Sequence, residues 1–312
     1  MWPSMHFAYI GLVSSLILSK AQADSGLFQA LRDAGASQFA QAIQEDAEFL
    51  DLIAAGEVGT LYAPIDSPAA AKFLVREVPD DALITIQGSD AIQNLASLKT
   101  NKGTVIDTLA NSTKPNGTDP VVVTNPSPPA SERRDLEVRQ DSGAQAPLVQ
   151  ISSGLGNIAN IIKADIPFKK CGNSSGLIHI VDTYFTVPRT LSASAAALGL
   201  TTFNTLASSL NLDNASSITV FIPSNGAFAA ANTSQPNVRS LVVRNFLGYL
   251  PVLEDGARLV TDSGSTLTVT RRGIDVFVNG AKITKPNVIL ENGVAHVLGE
   301  VSGEIRGTFW PA

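Results

Sequence analysis

Apolar and polar positions along this chain fall into short blocks, and two of these blocks occur twice. Thr219 to Ile222 is β-branched or aromatic at all four positions and predicts a buried strand. Pro223 has no amide proton and stops the ladder, and Ser224 and Asn225 are helix-capping side chains. Ala227 and Phe228 then begin an apolar helical turn. The same order of strand, Pro, cap and helix runs from Thr60 to Ala69, with Pro64 in the place of Pro223 and Asp66 in that of Asn225. A second block, Gly176-Leu177-Ile178-His179-Ile180-Val181-Asp182, returns as Gly293-Val294-Ala295-His296-Val297-Leu298-Gly299. Each copy predicts a turn followed by a buried strand near the end of its half. Two blocks repeated in the same order predict one domain written twice.

Between the blocks, helical periodicity covers Asp24 to Ala55, Ala69 to Leu74, Asp90 to Leu98, Leu191 to Leu212 and Val238 to Leu250. Strand character covers Thr104 to Leu109, Leu148 to Ile166, Arg258 to Val260, Thr266 to Thr270, Asp275 to Val278 and Lys282 to Thr284, with Asn279-Gly280 as a hairpin turn. Residues 111–147 break the pattern. They hold six prolines and a charged run, and apart from Val121 to Val123 no large apolar cluster, a composition that cannot offset ordering entropy. Pro64 to His179 spans 115 residues against 73 from Pro223 to His296, so the first copy is longer by about the length of this stretch. It is therefore expected to be an unstructured insertion in one domain, not a boundary between two. Arg133-Arg134 inside it is a dibasic pair, read as two solvated charges.

Phe7 to Leu18 is an apolar run too short to span a bilayer, followed by Ala21-Gln22-Ala23. Residues 1–23 are expected to be a secretory signal peptide, although no Lys or Arg precedes the run. The expected organisation is a first domain over 24–187, a second over 188–305, and a tail over 306–312 that lacks the hydrophobic stretch of a lipid-anchor signal. Asn111, Asn116, Asn173, Asn214 and Asn232 each open an Asn-x-Ser/Thr sequon and agree with an extracellular, soluble product. Cys171 is the single cysteine and has no internal disulfide partner. With 44% hydrophobic residues the chain can build cores, and its net charge of −6 argues against nucleic acid or a polybasic membrane patch.

The strand–Pro–helix unit, the Gly-x-x-His strand and Phe246-Leu247-Gly248-Tyr249 between them resemble the fasciclin domain family. The resemblance implies an α+β fold of two tandem fasciclin-like domains, each a wedge of two small β-sheets packed with several short helices. It implies adhesion or matrix contact outside the cell, through extracellular proteins or cell-surface or cell-wall glycans, with no cofactor. The family often has His after the Tyr of its middle motif, where this chain has Leu250 after Tyr249. Some animal members carry an Asp-Ile pair as an integrin contact. Asp165-Ile166 resembles it, whereas the second copy has Asn287-Val288 without the carboxylate a metal-dependent receptor needs. Asp165 and Ile166 are thus the candidate adhesion contact, weighed against a plain strand-end Asp beside a core Ile.

His179 and His296 lie between apolar residues, and no Gly-x-Ser-x-Gly elbow or metal-ligand spacing accompanies them. Gly154-Leu155-Gly156 lacks a third glycine at dinucleotide spacing. The histidines are read as structural, together with Pro64, Pro223, Asp66, Asn225 and Tyr249. The expectation is a secreted non-enzymatic adhesion protein. The alternatives are a secreted carrier of a small apolar ligand, which requires a deep apolar pocket, and a hydrolase, which requires an imidazole open to solvent beside Ser or Asp.

Overall fold

A computed structural model describes residues 26–66, 82–83, 86–87, 92–108, 121–126, 149–170, 175–231 and 237–299. The signal sequence, Arg133-Arg134, Cys171, Asn111, Asn116, Asn173, Asn232 and the tail lie outside the described residues. The strands, in chain order, are β1 (Thr60–Pro64), β2 (Ala82–Leu83), β3 (Ile86–Gln87), β4 (Val105–Asp107), β5 (Val121–Thr124), β6 (Val149–Ser152), β7 (Ile158–Lys169), β8 (Ser175–Val181) and β9 (Phe185–Thr186). They continue with β10 (Ile218–Pro223), β11 (Val242–Val243), β12 (Arg258–Val260), β13 (Thr266–Arg272), β14 (Asp275–Val278), β15 (Ala281–Leu290) and β16 (Gly293–Leu298). The fold is α+β. Packing divides it into two compact units, one of residues 1–95 with 160–184, the other of residues 96–159 with 185–312.

In the first unit three helices precede β1: α1 (26–34), α2 (Ser37–Gln44) and α3 (Ala47–Ala54). Leu27, Phe28 and Leu31 of α1, Phe39 and Ile43 of α2, and Phe49 and Ile53 of α3 are buried, each set at helical spacing. The strands run β3-β1-β8-β7, with β1 antiparallel to β3 but parallel to β8. Of the helix expected over Asp90 to Leu98, only α4 (Leu95–Leu98) forms. Residues 92–94 have no regular secondary structure, and Ile92, assigned by spacing to the core face, is exposed.

The second unit repeats this plan. Helices α5 (Leu191–Ala197) and α6 (Thr201–Ala207) precede β10, and α7 (Asn225–Ala231) follows it. The strands run β11-β10-β16-β15-β14-β13-β12. Again β10 is antiparallel to one neighbour, β11, and parallel to the other, β16. β15 is long and irregular in register, so it serves both a mixed sheet with β16 and β10 and an antiparallel sheet with β14, β13 and β12. The core between sheet and helices includes Phe203, Phe221, Phe228, Leu253 and Leu290. Val238 to Leu250, expected as a helix, is a single 3-10 turn at Val238–Leu241, then β11, then irregular chain with a bend at the left-handed Asn245. Hydrophobic content alone suggested the helix, but here the segment lies against β10 and a strand edge satisfies its amides.

Strands β4, β5 and β6 pair antiparallel in the second unit. β5 lies inside the stretch expected to be unstructured, and all four of its residues are buried. Val121 and Val123 pack with Tyr249, Ile289 and Val294. Prolines and charges flanking so short a strand outweighed its three valines in a composition count; residues 109–120 and 127–148 lie outside the described residues.

Candidate functional site

The repeated side chains converge on two hydrogen-bonded circuits of the same design. Each begins at a threonine near the start of the strand that ends in Pro. Thr219 Oγ1 accepts the Gly248 N–H at 2.8 Å and donates to the Phe246 carbonyl at 2.7 Å. The Gly248 carbonyl lies 2.8 Å from His296 Nε2, and His296 Nδ1 accepts the Asn287 N–H at 3.3 Å. Asn287 Oδ1 closes the path by accepting the Leu250 N–H at 2.8 Å. In the first unit Thr60 Oγ1 accepts the Gln93 N–H at 3.0 Å, and the Gln93 carbonyl lies 2.7 Å from His179 Nε2. His179 Nδ1 accepts the Asp165 N–H at 3.3 Å, and Asp165 Oδ1 accepts the Leu95 N–H at 2.8 Å.

A ring nitrogen that accepts an amide proton carries none of its own, so both imidazoles are neutral, with the proton on Nε2 and donated to a carbonyl. Both rings are fully buried. Burial pulls the His296 pKa down to about 4, against a smaller opposing effect of the Gly248 carbonyl. Burial also lowers that of His179, with the Gln93 carbonyl and the Asp165 charge opposing. Each imidazole also faces an aromatic ring on the parallel neighbour strand. His296 is registered against Phe221, with ring centroids 5.5 Å apart, and His179 against Tyr62, at 5.3 Å. The hydrolase alternative needed a solvent-open imidazole, and neither ring is one.

Asp165 and Asn287 share an unusual backbone. Both are left-handed, with φ of 56° and 52°, where β7 and β15 each slip register against their partners. Asp and Asn tolerate that region better than other residues with a Cβ, and the slip turns the backbone N–H toward the histidine. This accounts for Asp165 without a receptor. Its carboxylate is exposed and Ile166 is half-buried, whereas Asn287 is buried.

The glycine of each Gly-x-x-His block sits where a neighbouring strand comes close, the parallel β10 at Gly293 and the antiparallel β7 at Gly176. A Cβ on Gly293 would run into the Ile218 carbonyl, and one on Gly176 into the Phe168 ring. Pro64 and Pro223 end their strands as buried residues. Tyr249 is buried against Val121 and Val123.

The expected caps are present but reach elsewhere. Ser224 Oγ accepts the Ala227 N–H at 3.2 Å and caps its own helix, α7. Asn225 instead caps α6: its Oδ1 accepts the Thr202 N–H at 3.2 Å, and its Nδ2 donates to the Gly199 carbonyl at 2.8 Å. Asp66 does the same for α2, accepting the Ser37 and Gln38 N–H groups, both at 2.9 Å. The residues at the N-caps of those helices, Ala36 and Leu200, provide no side-chain acceptor, so a side chain after the strand replaces it. Gly35 and Gly199, at φ of 90° and 69°, turn the chain between the paired helices, where a side chain would be strained.

Sequence reasoning missed Thr60, Thr219, Gln93 and the roles of Leu95, at the start of α4, and Leu250. The threonines sit at one position of a repeated block and were open to discovery. The segments share only a leucine, Leu95 and Leu250, and it is their backbones that take part.

Among the described residues no three His, Cys, Asp or Glu side chains converge as metal ligands would. No described helix is long and apolar enough to cross a membrane. A depression of about 160 Å³ in the second unit is lined largely by polar groups, among them Ser192, Asn204, Asp213 and Asn214. It is smaller and more polar than the site an apolar carrier needs.

Residues 195–301 match the model of the Fasciclin domain. Over those residues the chain is similar to the fasciclin domain family. It is 32% identical over 178 residues to Fasciclin-like arabinogalactan protein CTB11 of Cercospora beticola, covering 52% of this chain and 46% of that protein. It is 28% identical over 175 residues to a Fasciclin-like arabinogalactan protein of Arthroderma benhamiae, covering 51% and 39%. The chain thus matches less than half the length of these curated relatives. The structure of a FAS1 domain pair from the insect cell adhesion molecule fasciclin I aligns at a TM-score of 0.38 and 15% identity, over 88% of this chain and 99% of that one.

Proposed function

We propose that this chain is a secreted, non-enzymatic adhesion or cell-wall interaction protein acting through surface contacts with extracellular proteins or glycans. One observation carries the reading: the most chemically versatile side chains of the repeated motif, His179 and His296, are spent on backbone groups inside the core. What the motif builds is a rigid support for loops 92–95 and 246–250, and such a support presents surface instead of turning over substrate. The match of residues 195–301 to the Fasciclin domain and the names of the fungal relatives support a cell-wall setting. We further propose that the sequence halves 24–187 and 188–305 are two copies of one domain, supported by their matching circuits, caps and strand pairings. Tandem copies raise avidity by making the second contact intramolecular.

The test is binding of the purified full chain to cells, to wall polysaccharides on a glycan array, and to extracellular proteins. Saturable binding to one class supports the reading and identifies the partner. Absence of binding to all three overturns it.

A further inference from the structure

We propose that Asn214 is N-glycosylated and that the first sugar of its glycan rests in the polar depression beside it, an inference that depends on the extracellular reading above. Asn214-Ala215-Ser216 is a sequon whose Asn and Ser are both exposed in the folded chain. Asn214 ends a 3-10 turn, Leu212–Asn214, that the left-handed Asn211 at φ 49° introduces. Its Nδ2 donates to Asn211 Oδ1 at 2.6 Å. That nitrogen carries two hydrogens, and glycosylation replaces one. The other keeps the Asn211 bond and so fixes the direction in which the sugar leaves the side chain.

Asn214 itself lines the depression of about 160 Å³, whose wall offers Ser192, Asn204, Ser208 and Asp213 with apolar groups such as Phe203 between them. Its volume is that of about five water molecules, and a ligand site would be larger. The size fits one sugar ring with its hydroxyls, and the hydroxyl, amide and carboxylate groups suit it. Asp213 is held in place by the Ser192 N–H at 2.9 Å and by the Ser192 hydroxyl, so the wall is ordered before any sugar arrives. In the transfer, Asn214 Nδ2 bonds to C1 of an oligosaccharide on a polyprenyl-diphosphate carrier. The C1–O bond to the diphosphate breaks, the electron pair leaves with the diphosphate, and the displaced amide proton goes to solvent.

The full chain with its own leader, expressed in a eukaryotic secretory host, tests this by mass spectrometry of the Asn214 peptide. The result expected is an occupied Asn214, with one glycan lost in both Asn214→Gln and Ser216→Ala; the second variant leaves the Asn211 contact intact. Endoglycosidase release from Asn214 is expected to be slower in native than in denatured protein. Asn211→Gly, which keeps the left-handed backbone but deletes the acceptor, narrows that difference. A secreted chain with bare Asn214 overturns the inference alone, and equal release from native and denatured protein overturns the seating of the sugar. A chain that never reaches the medium overturns the extracellular reading and this inference with it.

Discussion

The backbone N–H of Asn287 points at His296 Nδ1 from 3.3 Å, and this one contact sets the protonation state of a wholly buried imidazole. A proton on Nδ1 would face another donor. The ring must stay neutral, and its Nε2–H must go to Gly248. Replacing His296 by Ala strands the Gly248 carbonyl and the Asn287 amide and leaves a hole beside Phe221. We expect a loss on the order of 4 kcal/mol, the usual scale for a cavity plus unsatisfied buried groups. Urea unfolding at pH 7 measures it, and a loss below about 1 kcal/mol would remove the circuit from the account of stability.

The same neutrality predicts an acid response. His296 has a folded pKa near 4 and an ordinary value of 6.5, so the unfolded chain binds the proton more readily. Its contribution is therefore complete above pH 6.5 and is lost as pH falls toward 4, by roughly 3 kcal/mol in all. His179, also lowered, adds to the loss with the same sign. The Asp262 carboxyl, held below its usual range by its bond to Arg244, acts only at lower pH, below its ordinary value of 3.8. Unfolding free energies from pH 7 to pH 4 should fall steeply in the parent chain and less in His296→Gln. Parallel curves for the two would contradict the assignment.

The remote caps give a prediction in each unit. Asn225→Ala and Asp66→Ala remove the side-chain acceptors at the starts of α6 and α2, whose N-cap residues supply none. Each should cost about 1 kcal/mol. Asn225→Asp keeps the bond from Thr202 but loses the donor to the Gly199 carbonyl, so it should fall between Asn225→Ala and the parent. Thermal unfolding of the variants checks the order.

How much of this was readable beforehand depends on whether side chains or backbone carry the information. The strand–Pro–cap block and the Gly-x-x-His block announced themselves because specific residue types are needed at Pro223, Asn225, Gly293 and His296. The target of Asn225 was not readable, since a capping residue is ordinarily assigned to the helix it begins. The equivalence of Gln93 and Gly248 was hidden for a plainer reason: only their N–H and C=O groups matter, and every non-proline residue has those. Asp165 and Asn287 were noticed as a difference in charge. Their common property, a left-handed backbone within a register slip, leaves only the faint signature of Asp or Asn.

Two glycine substitutions should move stability in opposite directions. Gly293→Ala pushes a methyl group into the Ile218 carbonyl, a backbone atom that cannot rotate away, so the β10–β16 pairing must open. A loss of about 3 kcal/mol is expected, at the upper end of overpacking costs. Gly226 lies in the first turn of α7 with only Ser224 Oγ at 3.9 Å from a would-be Cβ. Gly226→Ala should stabilise by about 0.5–1 kcal/mol through helix propensity. Chemical denaturation of both variants gives the signs, and equal signs would mean the strand approach at Gly293 has been misjudged.

The last prediction concerns the strand that composition concealed. If 111–147 were merely an interruption, a charge placed there would be harmless. Val123 is instead fully buried and packs with Tyr249, Ile289 and Val294. Val123→Asp must either bury an unpaired carboxylate or detach β5 from its neighbours, and we expect a loss of at least about 3 kcal/mol. Val252→Asp, at a position 44% exposed in the same unit, should stay within about 0.5 kcal/mol of the parent. Comparable stability of the two variants would return β5 to the status of a dispensable loop. A large gap would mean that its valines belong to the core that contains Tyr249, and that the stretch is cut out of the chain only at the expense of that core.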